Sequence, residues 1–352
     1  MVGASLAASL AALSSPSLPS LASRGSVLSQ LITSATSRGS LDAPGVLWME
    51  HVNLLAGPRD VTERFYCDFL GFVREPGRSW HINLGSQQLH LASAQQGGEH
   101  RLSGSMGLAV PSLAALRGRI PEAQQALAGT HFAAEDLHDC ISVRCPWGNH
   151  ILCYDAALSL PSESLPNLES LPKMARSHVG MDEGMSVRGG PGIRFVEFRV
   201  RPGTLPAIAR FYKEGFGCHV TSSTASVLVA VGPSVHLVFT DDPQRPLTDE
   251  EEALMTAPKG DGMGLHICIY IAQFRRTYDW MKQRGLVFTN PRFVHLDRCD
   301  TWEQAAESRT FRVKSVIDLE TGEPLLELEH EIRPQRHFQF MKRTHYPDGS
   351  GM

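Results

Sequence analysis

Imidazoles set in apolar strands are the first residues in this chain that could do chemistry, because a neutral ring offers a lone pair to a metal ion and takes up a proton near neutral pH. His90 stands in QLHLA and His236 in VHLVF, about 146 positions apart. The same shift carries Gly57, Arg64, Phe65, Tyr66, Gly71 and Leu91 onto Gly203, Arg210, Phe211, Tyr212, Gly217 and Leu237. A period that long exceeds the roughly 20–50 residues of solenoid units, so each copy is a whole domain. A histidine between apolar neighbours is also the ordinary place of a hydrogen-bonded core residue, so neither ring identifies a site alone.

The totals set the frame for those residues. At 352 residues, with 42% hydrophobic and 20% charged, the chain is long enough for two cores. The formal net charge is −4 and no Lys/Arg cluster tracks a phosphate backbone, which argues against a nucleic-acid partner. The seven cysteines, Cys67, Cys140, Cys145, Cys153, Cys218, Cys268 and Cys299, form no CxxC pair, which speaks against a disulfide framework or a zinc knot. No apolar run reaches the roughly 18 residues of a membrane span. Residues 1–41 are rich in Ser, Ala and Leu and carry no acid, the composition of a transit peptide for a chloroplast or mitochondrion; otherwise the expectation is a cytoplasmic protein with a low-complexity tail.

The elements that must position any site follow from periodicity. The sequence predicts a strand over Val46–Leu55, a helix over Pro58–Leu70 closed by Gly71, then strands at Phe72–Glu75, Trp80–Leu84 and Gln88–Ala92. The β-α-β-β-β order recurs through 106–154, again through Ile193–Phe239, and again through Leu265–Glu329. Residues 156–190, rich in Ser, Pro, Leu and Gly, read as a linker, and the acidic stretch Asp249–Glu252 as a solvated helix start. The expected organisation is a tail at 1–41, a first domain at 46–155, the linker, a second domain at 191–332 and a C-terminal tail at 333–352.

MEHVNLLAGPRDVTERFYCDFLGF resembles the opening of a vicinal oxygen chelate module, and CPWGNHI and IDLETGEPLLELE resemble its closing turn and last strand. That superfamily includes glyoxalase I, extradiol dioxygenases and resistance proteins that bind antibiotics. The resemblance covers roughly 46–155 and 191–332. It implies an α+β fold of two domains, each a pair of βαβββ units forming a cupped mixed sheet with flanking helices. It does not choose a reaction, because members share a cup rather than a chemistry.

In this superfamily the first and last strands of each unit face the cup. The resemblance therefore implies a site in the second domain, with Glu197, His236, His266 and Glu327 as ligands of a divalent ion (Zn, Ni, Fe, Mn or Co), and Glu329 as the rival of Glu327. A substrate with neighbouring oxygens would chelate that ion, and Glu197 or Glu327 would move the proton in glyoxalase-I-like isomerase or lyase chemistry on a small metabolite. Glyoxalase I places Gln or His before Glu at the first two positions, the reverse of Glu197 and His236. Extradiol dioxygenases use two His and one Glu, with His where Glu197 stands. A binding protein without catalysis is the alternative from another class. The first domain offers His51 and His90, then Ser105 where a histidine is expected, and Leu152 or Cys153, and reads as a metal-poor copy. Trp80 and His81 are candidates for lining its cup, and Arg309 and Arg312 for holding a substrate carboxylate. The oligomeric state is left open, since one chain supplies both units of each pair.

Overall fold

The computed structural model describes residues 45–340 except 76, 78, 79, 86, 95–97, 138–139, 157–190, 233–234 and 257–264, so the N-terminal segment 1–41 and nearly all of the expected linker lie outside the described residues. Four units follow one another. The first has β1 (Val46–Ala56), α1 (Arg59–Glu63), β2 (Val73–Arg74), β3 (His81–Asn83) and β4 (Gln88–Ser93). The second has β5 (Ser105–Val110), α2 (Leu113–Ala126), β6 (Ala133–Asp136), β7 (Ile141–Arg144) and β8 (His150–Asp155). The third has β9 (Gly192–Arg199), α3 (Leu205–Phe211), β10 (Val220–Ser222), β11 (Ser226–Gly232) and β12 (Val235–Thr240). After α4 (Asp249–Ala253), the fourth has β13 (His266–Ile271), α5 (Phe274–Gln283), β14 (Val287–Phe288), α6 (Trp302–Ser308), β15 (Phe311–Ile317) and β16 (Pro324–Pro334).

The repeat seen in the sequence is a repeat of shape. α1 and α3 each run on into a wider π turn, Arg64–Phe69 and Tyr212–Phe216, which buries Tyr66 and Tyr212 completely. Gly71 and Gly217 then leave the helices with φ of 83° and 69°, where a side chain would be strained. The acidic stretch is α4, started by a capping box between Thr248 and Glu251.

The α+β architecture is as expected: two mixed eight-stranded sheets, each made from two βαβββ units. The pairing of units is not. One sheet has the order β14-β15-β16-β13-β1-β4-β3-β2 and the other β10-β11-β12-β9-β5-β8-β7-β6. The first unit therefore joins the fourth through an antiparallel β1–β13 ladder, and the second joins the third through β5–β9. Neither sheet is confined to 46–155 or to 191–332. What the two halves of the chain do share is a helix layer. Phe65 and Phe69 of the first unit meet Phe132 of the second, and Tyr212 of the third donates its hydroxyl hydrogen to His330 of the fourth at 2.9 Å. Gln87 ties the sheets together, donating to the Met49 carbonyl and accepting from the Ile193 amide.

Candidate metal centre in the cup of the outer units

The ladder between β1 and β13 decides where the chemistry gathers. In its register His51 faces Cys268 and Asn53 faces His266, while β13 runs parallel to β16 with Cys268 opposite Glu331. Strand alternation turns His266, Cys268 and Tyr270 to one face, and Ile267, Ile269 and Ile271 to the other, where they join the core. On β16 the same period sends Leu326, Leu328 and Ile332 to the core and Glu327, Glu329 and Glu331 to the cup face.

His51, His266 and Glu331 meet there, with one ligand atom from each lying within 4.8 Å of the others and all three buried. His51 Nε2 is 3.4 Å from His266 Nε2 and 3.8 Å from Glu331 Oε2, and His266 Nε2 is 3.7 Å from the same oxygen. The ligands are prepared for an ion. His51 Nδ1 donates to Glu50 Oε2 at 3.2 Å, which leaves the Nε2 lone pair facing the cluster. Glu50 is held in turn by Tyr270 Oη at 3.1 Å and Arg333 Nη1 at 2.8 Å. Burial works against ionisation of Glu50, but the His51 hydrogen bond and Arg333 hold its pKa down at about 2. Burial likewise opposes charge on Glu331, and Arg333 and Arg312 overcome it, so the carboxyl sits well below the usual range. Burial first and then Arg312 and His51 keep the His266 ring well below its ordinary pKa, hence neutral.

Further charged groups surround the cluster. Four buried carboxylates, Glu50, Asp297, Glu329 and Glu331, face two guanidinium groups, Arg312 and Arg333. Burial, the larger influence, pushes the carboxyl groups of Asp297 and Glu329 up.

A column of stacked rings completes the cup. His90 on β4 lies 3.8 Å from His51 between ring centroids and 3.7 Å from His81, and His81 Nδ1 donates to Glu75 at 2.8 Å. Burial and the neighbouring His51 and His81 rings keep His90 well below its ordinary pKa. Phe293, from the turn Pro291–Phe293, covers the far side with its edge toward His266.

The four ligands expected from the sequence do not come together. His266 is at the cluster. Glu197 and His236 belong to β9 and β12 of the other sheet, where Glu197 accepts from Ser105 Oγ at 2.5 Å and Thr240 Oγ1 at 3.0 Å. Glu327 lies two strand positions short of Glu329 and four short of Glu331, half-exposed and paired with Lys314 at 3.3 Å, so neither expected proton carrier stands at the His51–His266–Glu331 cluster. Its rival Glu329 is occupied by Arg312 at 2.6 Å and Asn290 at 3.0 Å. Arg312 is not open to a substrate carboxylate, since Asp297, Glu329 and Glu331 surround it; Arg309 is exposed and donates to the Arg336 carbonyl. His81 does line the cup, whereas Trp80 beside it is 52% exposed.

The cup of the inner units is filled. Phe195, Leu228, Val238 and Leu152 pack together in it, and Gly107 lies so close to Phe195 that a Cβ there would stand 2.2 Å from the ring. Ser105 and Leu152, the non-ligating residues noted in the sequence, belong to this filled cup, while His51 and His90 belong to the other sheet. The residues expected to be metal-poor were thus divided between the two sheets.

No protein-family model matches the chain, and no curated protein matches it in sequence. Among solved structures, a point-mutant glyoxalase I of Zea mays is similar at 13% identity and a TM-score of 0.46, over 82% of this chain and 94% of that one. A Bacillus subtilis protein named as a candidate dioxygenase is similar at 12% identity and a TM-score of 0.44, over 86% and 91%. A variant of homoprotocatechuate 2,3-dioxygenase from B. fuscum is similar at 13% identity and a TM-score of 0.25, over 84% and 74%. No helix among the described residues is long and apolar enough to cross a membrane. Four βαβββ units closed pairwise into two mixed sheets are the layout that the resemblance to vicinal oxygen chelate modules implied from the sequence.

Proposed function

We propose that the protein is a metalloenzyme that holds a divalent ion between His51, His266 and Glu331, and that with iron(II) it is an oxygenase acting on a small substrate with two neighbouring oxygens. The observation that carries this is the donor set: two imidazoles and one carboxylate from three adjacent strands, their ligand atoms within 4.8 Å of one another. A set of two imidazoles and one carboxylate would suit non-haem iron(II) and would leave room for further ligands. Bound iron(II) there supplies the chemistry of dioxygen activation.

The chain's own residues do the rest. Glu50 keeps His51 in the tautomer that ligates, and the apolar core behind β13 and β16 holds His266 and Glu331 in place. His90, stacked between His51 and His81 with Nε2 donating to Gln88 Oε1 at 3.0 Å, holds the His51 ring in place from the side. An isomerase mechanism of the kind first expected needs a second carboxylate at the ion as base, and Glu197 and Glu327 are elsewhere. An organelle address for residues 1–41 belongs to the same proposal as a separate, compositional element.

The test is anaerobic loading of the full chain with iron(II), followed by elemental analysis and oxygen uptake with catechols. About one iron per chain and uptake that disappears in His266→Ala and Glu331→Ala are expected. Metal retained in both variants, or a loaded protein inert toward every catechol offered, overturns the reading.

A further inference from the structure

Glu331 has two carboxylate oxygens, and they are not equivalent. Oε2 faces His51 and His266 and also receives Arg312 Nη2 at 3.0 Å. Oε1 is taken by Arg333 twice, through Nε at 2.6 Å and through a shorter contact from Nη2. The remaining nitrogen of that guanidinium, Nη1, reaches Glu50 Oε2 at 2.8 Å, the oxygen that accepts from His51. One planar group therefore grips a metal-facing carboxylate with one edge and the carboxylate that orients a metal-facing imidazole with the other.

We infer that Arg333 is a positioning residue that sets how Glu331 binds the ion: by occupying Oε1 it leaves Oε2 as the only donor, and so keeps one more coordination position open for substrate or dioxygen. This rests on the metal-centre reading above. A carboxylate binds a cation through one oxygen or through both, and with both oxygens free the two-oxygen mode is open to it. The fork of Arg333 competes for Oε1 with geometry that a lysine cannot reproduce, because guanidinium presents parallel donors in a fixed plane. The anchor is itself fastened. Arg333 Nη1 also donates to Gln339 Oε1 at 2.8 Å and to Tyr270 Oη at 3.2 Å, and Phe340 packs on the Tyr270 ring at 4.8 Å. The segment after β16 thus holds the guanidinium from outside while the two carboxylates hold it from within.

The experiment uses manganese(II) as the probe in the full chain, with pulsed electron paramagnetic resonance in deuterated water to read the number of bound water molecules. The wild-type ion should carry about three waters, and Arg333→Gln about two, so the deuterium modulation falls by roughly a third. Arg333→Lys keeps the charge without the fork and should fall by the same amount, which carries the test if the Gln variant does not fold. Modulation unchanged in a folded, metal-bearing variant overturns the inference while leaving the metal centre standing. If the wild-type protein, stripped of its own metal, binds no manganese(II), the metal-centre reading fails first, and the two failures are told apart.

Discussion

Glu331 shows how closely residue chemistry can be read and still miss. Three glutamates alternate along LLELEHE, all on one face of β16, and the sequence pointed to Glu327 with Glu329 as rival. Nothing in a period of two tells which of three equivalent positions meets a neighbouring strand's histidine. The available signal was the continued alternation: the strand runs on to Pro334, past Glu331 and Arg333. The site makes a direct prediction. Glu331→Gln should abolish iron binding in elemental analysis, whereas Glu197→Gln and Glu327→Gln should leave the iron content of the protein unchanged. Glu50→Gln, which loosens the orientation of His51 without removing a ligand, should weaken metal affinity by about 10–100-fold in a competition titration with a chelator.

At the scale of elements, the cup of the inner units is closed by packing that can be measured. Gly107→Ala drives a Cβ into the Phe195 ring and should cost about 1–3 kcal/mol in urea unfolding, with part of the loss recovered in a Gly107→Ala, Phe195→Leu double variant. β16 also carries a pH dependence on its core face. His330 is fully buried, its Nδ1 donates to the Leu328 carbonyl at 2.8 Å, and its Nε2 accepts from Tyr212, so burial holds its pKa down at about 4. An unfolded chain binds that proton near pH 6.5, so the stability contributed by the neutral ring is present above pH 6.5 and is lost as pH falls toward 4. The loss is about 3 kcal/mol over that window. Denaturant midpoints measured across it should fall less steeply for His330→Gln than for the wild type; identical slopes would remove His330 as the cause.

On the scale of the whole molecule, the crossed pairing means that neither half of the chain owns the metal centre. His51 comes from the first unit, and His266 and Glu331 from the fourth. A fragment of residues 191–352, which contains every ligand first expected, should therefore bind less than a tenth of an equivalent of iron(II), as should residues 1–156. Full occupancy of the 191–352 fragment would show that the site needs no β1.

The sequence by itself determined the unit: strand, helix and three strands, four times, because alternation, helical spacing and glycine stops are written locally; most boundaries fall within a residue or two of those observed, but β16 runs five residues past the expected Glu329 and α6 was not foreseen. It also determined that His266 would face a cup. Which unit joins which was decided only by tertiary structure. The first strands of all four units present similar antiparallel edges, so a β1–β13 ladder and a β1–β5 ladder satisfy the same local pattern. The choice falls to packing summed over the whole chain: interlocking helices within each half, Phe195 filling one cup, and buried charges left to gather in the other.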